Sequence, residues 1–340
     1  MSTVLVTGGA GYIGSHTTLC LLQSGYDVVV YDNLFNSSVN SLARVEKLTQ
    51  KKISFVQGDV CDAEGLDELF SAYTIDAVVH FAAHKAVGES VQKPLVYYHN
   101  NVTGTLNLLQ AMQKHQVNSF LFSSSATVYG EQNSVPYTES QTLGTPTSPY
   151  GMSKVMIESV LADSARANIG LRSVSLRYFN PVGAHESGEI GEDPQGIPNN
   201  LLPYIAQVAV GKRPHLTIFG NTYETRDGTC ERDYLHVMDL AEGHVAALSW
   251  LLKKSDWSGV EAFNLGTGTP VSVFQIVAAF EQACGKPVPF EIGAPRDGDL
   301  PAFWADTTKA LEVLGWRASR SLKQMMSDTW RWQANNPNGY

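Results

Sequence analysis

Thr7-Gly8-Gly9-Ala10-Gly11-Tyr12-Ile13-Gly14-Ser15-His16 follows directly on the apolar run at residues 4–6 and opens a helical pattern over Tyr12–Gln23. It carries two glycine spacings at once, GxGxxG as Gly9, Gly11 and Gly14, and GxxGxxG as Gly8, Gly11 and Gly14. Glycine allows a tight turn and lets backbone approach a pyrophosphate closely. The helix behind it aims its N-terminal N–H groups and dipole at the anion. A glycine-rich turn alone is weak evidence, but strand, turn and helix in this order predict a dinucleotide site.

The acid such a site needs is Asp32, at the end of the next apolar run, 28–31. A carboxylate there accepts hydrogen bonds from ribose hydroxyls and repels a 2′-phosphate, and no arginine follows closely, so the cofactor expected is NAD rather than NADP. A helix cap is the plainer reading of Asp32. Asp59, after the third run, faces the adenine or is itself a cap.

Working outward, short apolar runs at 4–6, 28–31, 53–56, 77–81 and 120–122 read as strands covered on both faces. Helical stretches such as 102–114, with Leu106, Leu109 and Met112 on one face, alternate with them. The fold class expected is α/β, a Rossmann-type doubly wound parallel sheet with right-handed crossovers and a smaller mixed α/β C-terminal substrate lobe. Residues 1–179 form the dinucleotide-binding domain and 180–340 mainly the second lobe, with some segments returning to the first. In that lobe a long helix is expected at 238–254. Another starts behind the capping box Ser272-Val-Phe-Gln275 and stops near Gly285, and the tail from Asn335 frays.

The fifth strand runs into Ser123-Ser124-Ser125-Ala126-Thr127-Val128-Tyr129, and some 25 residues on stands Tyr150-Gly-Met-Ser-Lys154. Tyr150 and Lys154, at i and i+4, share one helix face. A free tyrosine has a pKa near 10 and is a poor base, but an adjacent ammonium favours the phenolate. Tyr150 would then take a proton from a substrate hydroxyl while hydride leaves the same carbon, with Ser125 hydrogen-bonded at that oxygen.

Together with the segments 80–94, 178–184, 191–200, 232–239 and 296–301, these motifs resemble the extended short-chain dehydrogenase/reductase superfamily. Within it the chain is similar to the UDP-glucose 4-epimerase (UDP-galactose 4-epimerase) family, from Val4 to about Trp332. The resemblance implies C4 epimerisation of UDP-glucose and UDP-galactose through a 4-keto sugar and transient NADH, with tightly held NAD, in galactose metabolism. It assigns the base to Tyr150, with Lys154 and Ser125 beside it. NAD contacts fall on Gly8, Gly11, Tyr12, Ile13, Gly14, Asp32, Asn33, Leu34, Asn36, Ser37, Asp59, Val60, Phe81, Ala82, Ala83, Lys85, Asn100, Ser125, Tyr150, Lys154 and Phe179. Substrate contacts fall on Ser125, Tyr150, Asn180, Asn200, Leu201, Thr217, Ile218, Phe219, Arg232, Arg296, Asp299 and Phe303. A bulky Phe303 leaves little room for an acetamido group. A homodimer is implied through helices at 94–115 and 150–168.

Read without the resemblance, Arg232 and Arg296 are either diphosphate ligands or surface salt bridges, and Asn180 and Asn200 either read a base or sugar or simply form turns. A 4,6-dehydratase would need a carboxylate pair where this chain has Ala126-Thr127-Val128. A non-catalytic NAD sensor would be free to lose Tyr150, Lys154 or the glycines.

The 340 residues are 43% hydrophobic and 17% charged, too apolar for disorder. The net charge of −9 argues against broad capture of nucleic acid or anionic membrane. There is no run of 18 apolar residues and no signal-peptide pattern at the start. Four scattered cysteines read as reduced thiols, and the histidines, which form no HExxH pair, read as structural, so no metal and a cytoplasmic protein are expected.

Overall fold

A computed structural model describes residues 2–167, 170–254, 256–296 and 298–340. Asp297, inside the Arg296–Pro301 motif, and Asn168, at the end of the expected 150–168 helix, lie outside them. The chain alternates β1 (Thr3–Thr7), α1 (Tyr12–Gln23), β2 (Asp27–Asp32), α2 (Val39–Thr49), β3 (Ser54–Gln57), α3 (Ala63–Ala72) and β4 (Ala77–His80). Two short helices, α4 (Val87–Gln92) and α5 (Pro94–Tyr98), lead through a π-turn at His99–Thr103 into α6 (Gly104–Lys114). Then come β5 (Ser119–Ser123), α7 (Pro149–Arg166) and β6 (Arg172–Tyr178).

The second half holds β7 (Asn180–Val182), α8 (Leu201–Ala209), β8 (Leu216–Phe219), β9 (Glu231–His236), α9 (Val237–Leu252), β10 (Gly259–Leu265) and β11 (Pro270–Ser272). It ends with α10 (Val273–Cys284), β12 (Phe290–Gly293), β13 (Ala302–Phe303) and α11 (Leu322–Asn335).

Seven strands form one sheet in the order β10-β6-β5-β4-β1-β2-β3, every neighbour parallel. Strand order reverses between β1 and β4, the crevice where such sheets bind ligands. β10 comes from the second half, and α9 packs against α1. The rest of that half builds a smaller mixed α/β assembly. In it β11, β13 and β7 all pair with β9, while β12 pairs with β8. Its own core gathers Leu202, Ile205, Ile276, Phe280 and Met326.

Local chemistry accounts for the ends that sequence located well. Ser272 caps α10 with a reciprocal bond from Gln275, and Gly285 ends it in the left-handed region at φ +69°. Two expectations fail. Leu106 does not face the core but is 38% exposed; α6 buries Thr105, Leu108 and Ala111 together with the expected Met112, and Leu109 is half-buried against the same core. The tail does not fray. The Tyr340 hydroxyl exchanges hydrogen bonds with Gly191 N and O at 3.1 and 3.2 Å, and its ring packs on Trp332 with Arg44 over both. No helix among the described residues is long and apolar enough to cross a membrane.

Candidate active site

The carboxyl ends of the sheet open into a cavity of about 1040 Å³ that extends to the second-half strands β8 and β9. At one end, Gly11 is the N-cap of α1, with no side chain capping the helix and no acid in its first turn, so those N–H groups are left for an anion. The turn admits no side chains. Gly8 has φ +72°, and a Cβ there would stand 2.6 Å from Ala82 N; one on Gly14 would stand 2.2 Å from Gly8 O. This is a cradle for a pyrophosphate.

Asp32 is not a helix cap; Ser38 caps α2. Its carboxylate accepts from Ala10 N (3.0 Å), Leu34 N (2.9 Å) and the Ser37 hydroxyl (2.9 Å), which locks the glycine turn to the end of β2. Asp59 accepts from Asn33 Nδ2 (2.9 Å) and Cys61 N (2.8 Å). It therefore braces the Asn33 loop and caps a turn at once.

At the other end of the sheet, Ser148 caps α7 and Pro149 occupies its first turn, which sets Tyr150 and Lys154 on the buried face. Lys154 Nζ donates to Ser123 O (2.9 Å) and lies 5.9 Å from the centre of the Tyr150 ring. Burial raises the Tyr150 phenol above its ordinary value, and hydrogen bonding with Ser125 pulls the other way. The expected lowering of Tyr150 by a lysine in contact is thus not built into this geometry. Burial also draws Lys154 down to about 7, with Glu158 opposing it.

Of the predicted cofactor set, Gly8, Gly11, Tyr12, Ile13, Gly14, Asp32, Asn33, Asn36, Ser37, Val60, Phe81, Ala82, Ala83, Lys85, Asn100, Tyr150 and Lys154 line the cavity. Leu34, Asp59, Ser125 and Phe179 sit beside that lining rather than in it. So does Phe303, which packs on Phe179 at 5.1 Å and Tyr137 at 5.0 Å. Every other predicted substrate residue is on the wall: Asn180, Asn200, Leu201, Thr217, Ile218, Phe219, Arg232, Arg296 and Asp299. The Arg296 guanidinium lies 4.0 Å over the Phe219 ring.

A dinucleotide cradle, a buried Tyr–Ser pair and a second wall carrying arginines thus share one space. The family model described as GDP-mannose 4,6 dehydratase matches residues 5–329. A UDP-glucose 4-epimerase of Erwinia amylovora is 59% identical over 337 residues, covering 99% of both chains. One of Bacillus subtilis is 55% identical, covering 99% of this chain and 98% of its own. The crystal structure of UDP-glucose 4-epimerase from Bifidobacterium longum in complex with NAD+ and UDP superposes with a TM-score of 0.96 at 50% identity, over the whole of both chains. The chain belongs to the UDP-glucose 4-epimerase family.

The turn Ala126–Tyr129 carries Thr127, whose N–H and hydroxyl both donate to Ser125 Oγ at 3.2 and 3.0 Å. No carboxylate stands on it for a 4,6-elimination.

Sequence reading passed over several cavity residues of this epimerase-family chain. Tyr178 shares a 2.8 Å hydrogen bond with Ser123 beneath Tyr150. Glu192 Oε1 accepts from Lys85 Nζ and Asn200 Nδ2, both at 3.0 Å, and so joins a residue expected at the cofactor to one expected at the substrate. His84, set aside as structural, lines the mouth edge-on to Phe35. Their positions inside the segments 178–184, 191–200 and 80–94 were the available signal.

Proposed function

We propose that this protein is an NAD-dependent isomerase that inverts the C4 hydroxyl of a UDP-hexose, interconverting UDP-galactose and UDP-glucose through a 4-keto sugar. The observation that carries this reading is the continuity of one cavity from the uncapped α1 turn, past Tyr150, to Arg232 and Phe219. The names of the relatives, and the NAD+ and UDP in the Bifidobacterium structure, support it.

The residues fit NAD: the glycine cradle and free helix N-terminus suit its pyrophosphate, and Asp32 suits an unphosphorylated ribose. Bound NAD supplies the hydride acceptor, and later donor, for C4, together with a positive charge beside Tyr150. Tyr150 takes the C4-hydroxyl proton, Ser125 holds that oxygen, and Lys154 supplies positive charge from the next helical turn. The proton returns from Tyr150 to the oxygen once the ketone has presented its other face. That requires a hexose held loosely and a uridylyl group held firmly. Binding energy from the remote nucleotide, through Arg232, Arg296 and Phe219, meets both needs.

We assign the NAD-binding domain to residues 1–179 and the UDP-sugar lobe mainly to 180–340. A homodimer through α5, α6 and α7 is supported by their exposed apolar residues, including Leu95 (81% exposed), Val96, Leu106 and Met156. A cytoplasmic setting accords with four free cysteines.

The test is to denature purified protein and measure released NAD, then to incubate native protein with UDP-galactose and no added NADH. UDP-glucose forming without net NADH change is expected. A 4-keto-6-deoxy product, or no turnover, overturns the reading. Tyr150→Phe should retain NAD and lose about 10²–10⁴-fold in turnover.

A further inference from the structure

Tyr150, Lys154 and Glu158 occupy successive turns of one buried face of α7. Glu158 has no catalytic part in the scheme above, yet it is 6% exposed. Its Oε1 accepts from the Ser124 hydroxyl at 2.6 Å, and its two oxygens accept from Arg177 Nε and Nη2 at 2.6–3.2 Å. Arg177 is 6% exposed on β6 and also donates to the Tyr129 hydroxyl at 3.2 Å, which donates in turn to Asn264 Oδ1 at 2.6 Å. The strand end that presents Ser125 is therefore fastened to α7 twice, by Lys154 to Ser123 O and by Ser124 to Glu158.

A buried ion pair is seldom retained for stability alone, since apolar residues of like volume fill such space as well. We propose that Glu158 is a positioning residue for this reaction, fixing Ser125 against Tyr150 and holding Lys154 as an ammonium, with Arg177 opposing it to set that charge. The proposal rests on the epimerase reading.

The groups facing Lys154 are few. His80 on β4 is neutral, its ring held between the Thr7 and Thr105 hydroxyls, and burial takes its pKa down to about 3. Phe122 on β5 offers its ring face at 4.8 Å. Tyr150 lies on α7 itself, Tyr178 and Arg177 on β6. Among the described residues Glu158 is the only carboxylate acting on Lys154, and it raises the lysine against burial.

The ammonium is present below its pKa and lost as pH rises, so it governs the alkaline side of the turnover profile. Glu158→Gln removes the carboxylate and leaves Arg177 to repel Lys154. Arg177→Gln leaves the carboxylate unopposed. A purely structural role would make the two variants fail alike.

The experiment measures kcat for UDP-galactose against pH in NAD-loaded wild type, E158Q and R177Q. The alkaline limb is expected to move down by about one pH unit in E158Q and up in R177Q. Limbs that move together, or not at all, overturn the proposal. Should either variant fail to fold, Ser124→Ala, which frees the strand end from Glu158 without touching the ion pair, decides. A fall in kcat with KM unchanged supports the proposal, and an unchanged kcat overturns it. An inactive wild type would instead refute the epimerase reading, so the two failures are distinguishable.

Discussion

Arg232 is already paired inside the cavity that is to receive an anion: its Nη2 donates to Asp299 Oδ1 at 3.0 Å. Its Nη1 donates to the carbonyls of Glu231 and Leu300 at 2.9 and 2.8 Å. Three acceptors thus fix the guanidinium plane. A preorganised arginine binds phosphate without losing further side-chain freedom. Its contribution should be felt equally in ground and transition state, since the diphosphate does not react. Arg232→Ala is therefore expected to raise KM for UDP-galactose by about 10–100-fold, the worth of a charge-assisted bond, with kcat nearly unchanged. Asp299→Asn should move KM the same way by less. Steady-state kinetics at fixed pH decides, and an unaltered KM in R232A would remove Arg232 from the diphosphate.

Phe303 stands behind the sugar end of the cavity, in an aromatic cluster with Phe179 and Tyr137. With that cluster filled, a bulkier C2 substituent meets rings that cannot retreat. The protein should turn over UDP-glucose well and UDP-N-acetylglucosamine poorly. Phe303→Ser should narrow the ratio of kcat/KM values by about tenfold, the usual scale for one pocket contact. Comparable rates for the two substrates in wild type would contradict this.

The reach of sequence reading followed the reach of the interactions. The glycine turn, the Ser272 capping box and the Tyr150–Lys154 face are set by residues a few places apart, and each stands where its spacing implied. Contacts that close over long separations left no pattern. Glu192 meets Lys85 across 107 residues, and Arg44 meets Asn336 across 292. Leu106 misled because a strict i+3 row drifts about 60° per step around a helix, off the buried stripe of Thr105, Leu108, Ala111 and Met112. Glu158 carried the right spacing, but a buried acid on a helix face reads as an exposed one until Arg177 arrives from β6.

The ordered tail makes a prediction of its own. Tyr340 N donates to Asp193 Oδ2 at 3.0 Å, and its hydroxyl pins Gly191, so the tail brackets Glu192, the residue that joins Lys85 to Asn200. Tyr340→Ala should lower stability by about 1–3 kcal/mol, as loss of a packed, hydrogen-bonded aromatic does. It should also raise KM for the UDP-sugar, because the loop carrying Glu192 loses one side of its frame. Thermal unfolding and KM are the measurements, and a variant indistinguishable from wild type in both would show that the tail only decorates the surface.

Three fully buried histidines, His16, His80 and His244, give stability a definite pH dependence. Burial lowers them to about 3, about 3 and about 4. Each is neutral in the fold down to those values, whereas in the unfolded chain each takes a proton below about 6.5. The unfolded state therefore binds more protons throughout the interval from about 6.5 to 4, and stability falls as pH falls through it. Near pH 5 the three together contribute a slope of up to about 4 kcal/mol per pH unit, at 1.36 per proton. Asp328 and Asp227, held below their ordinary values in the fold, add to the same trend at the acid end. Urea unfolding at pH 7.5, 6.0 and 5.0 should show the midpoint dropping steeply below 6.5 with the denaturant slope unchanged. A constant midpoint across that range would mean that the three imidazoles reach water in the native state.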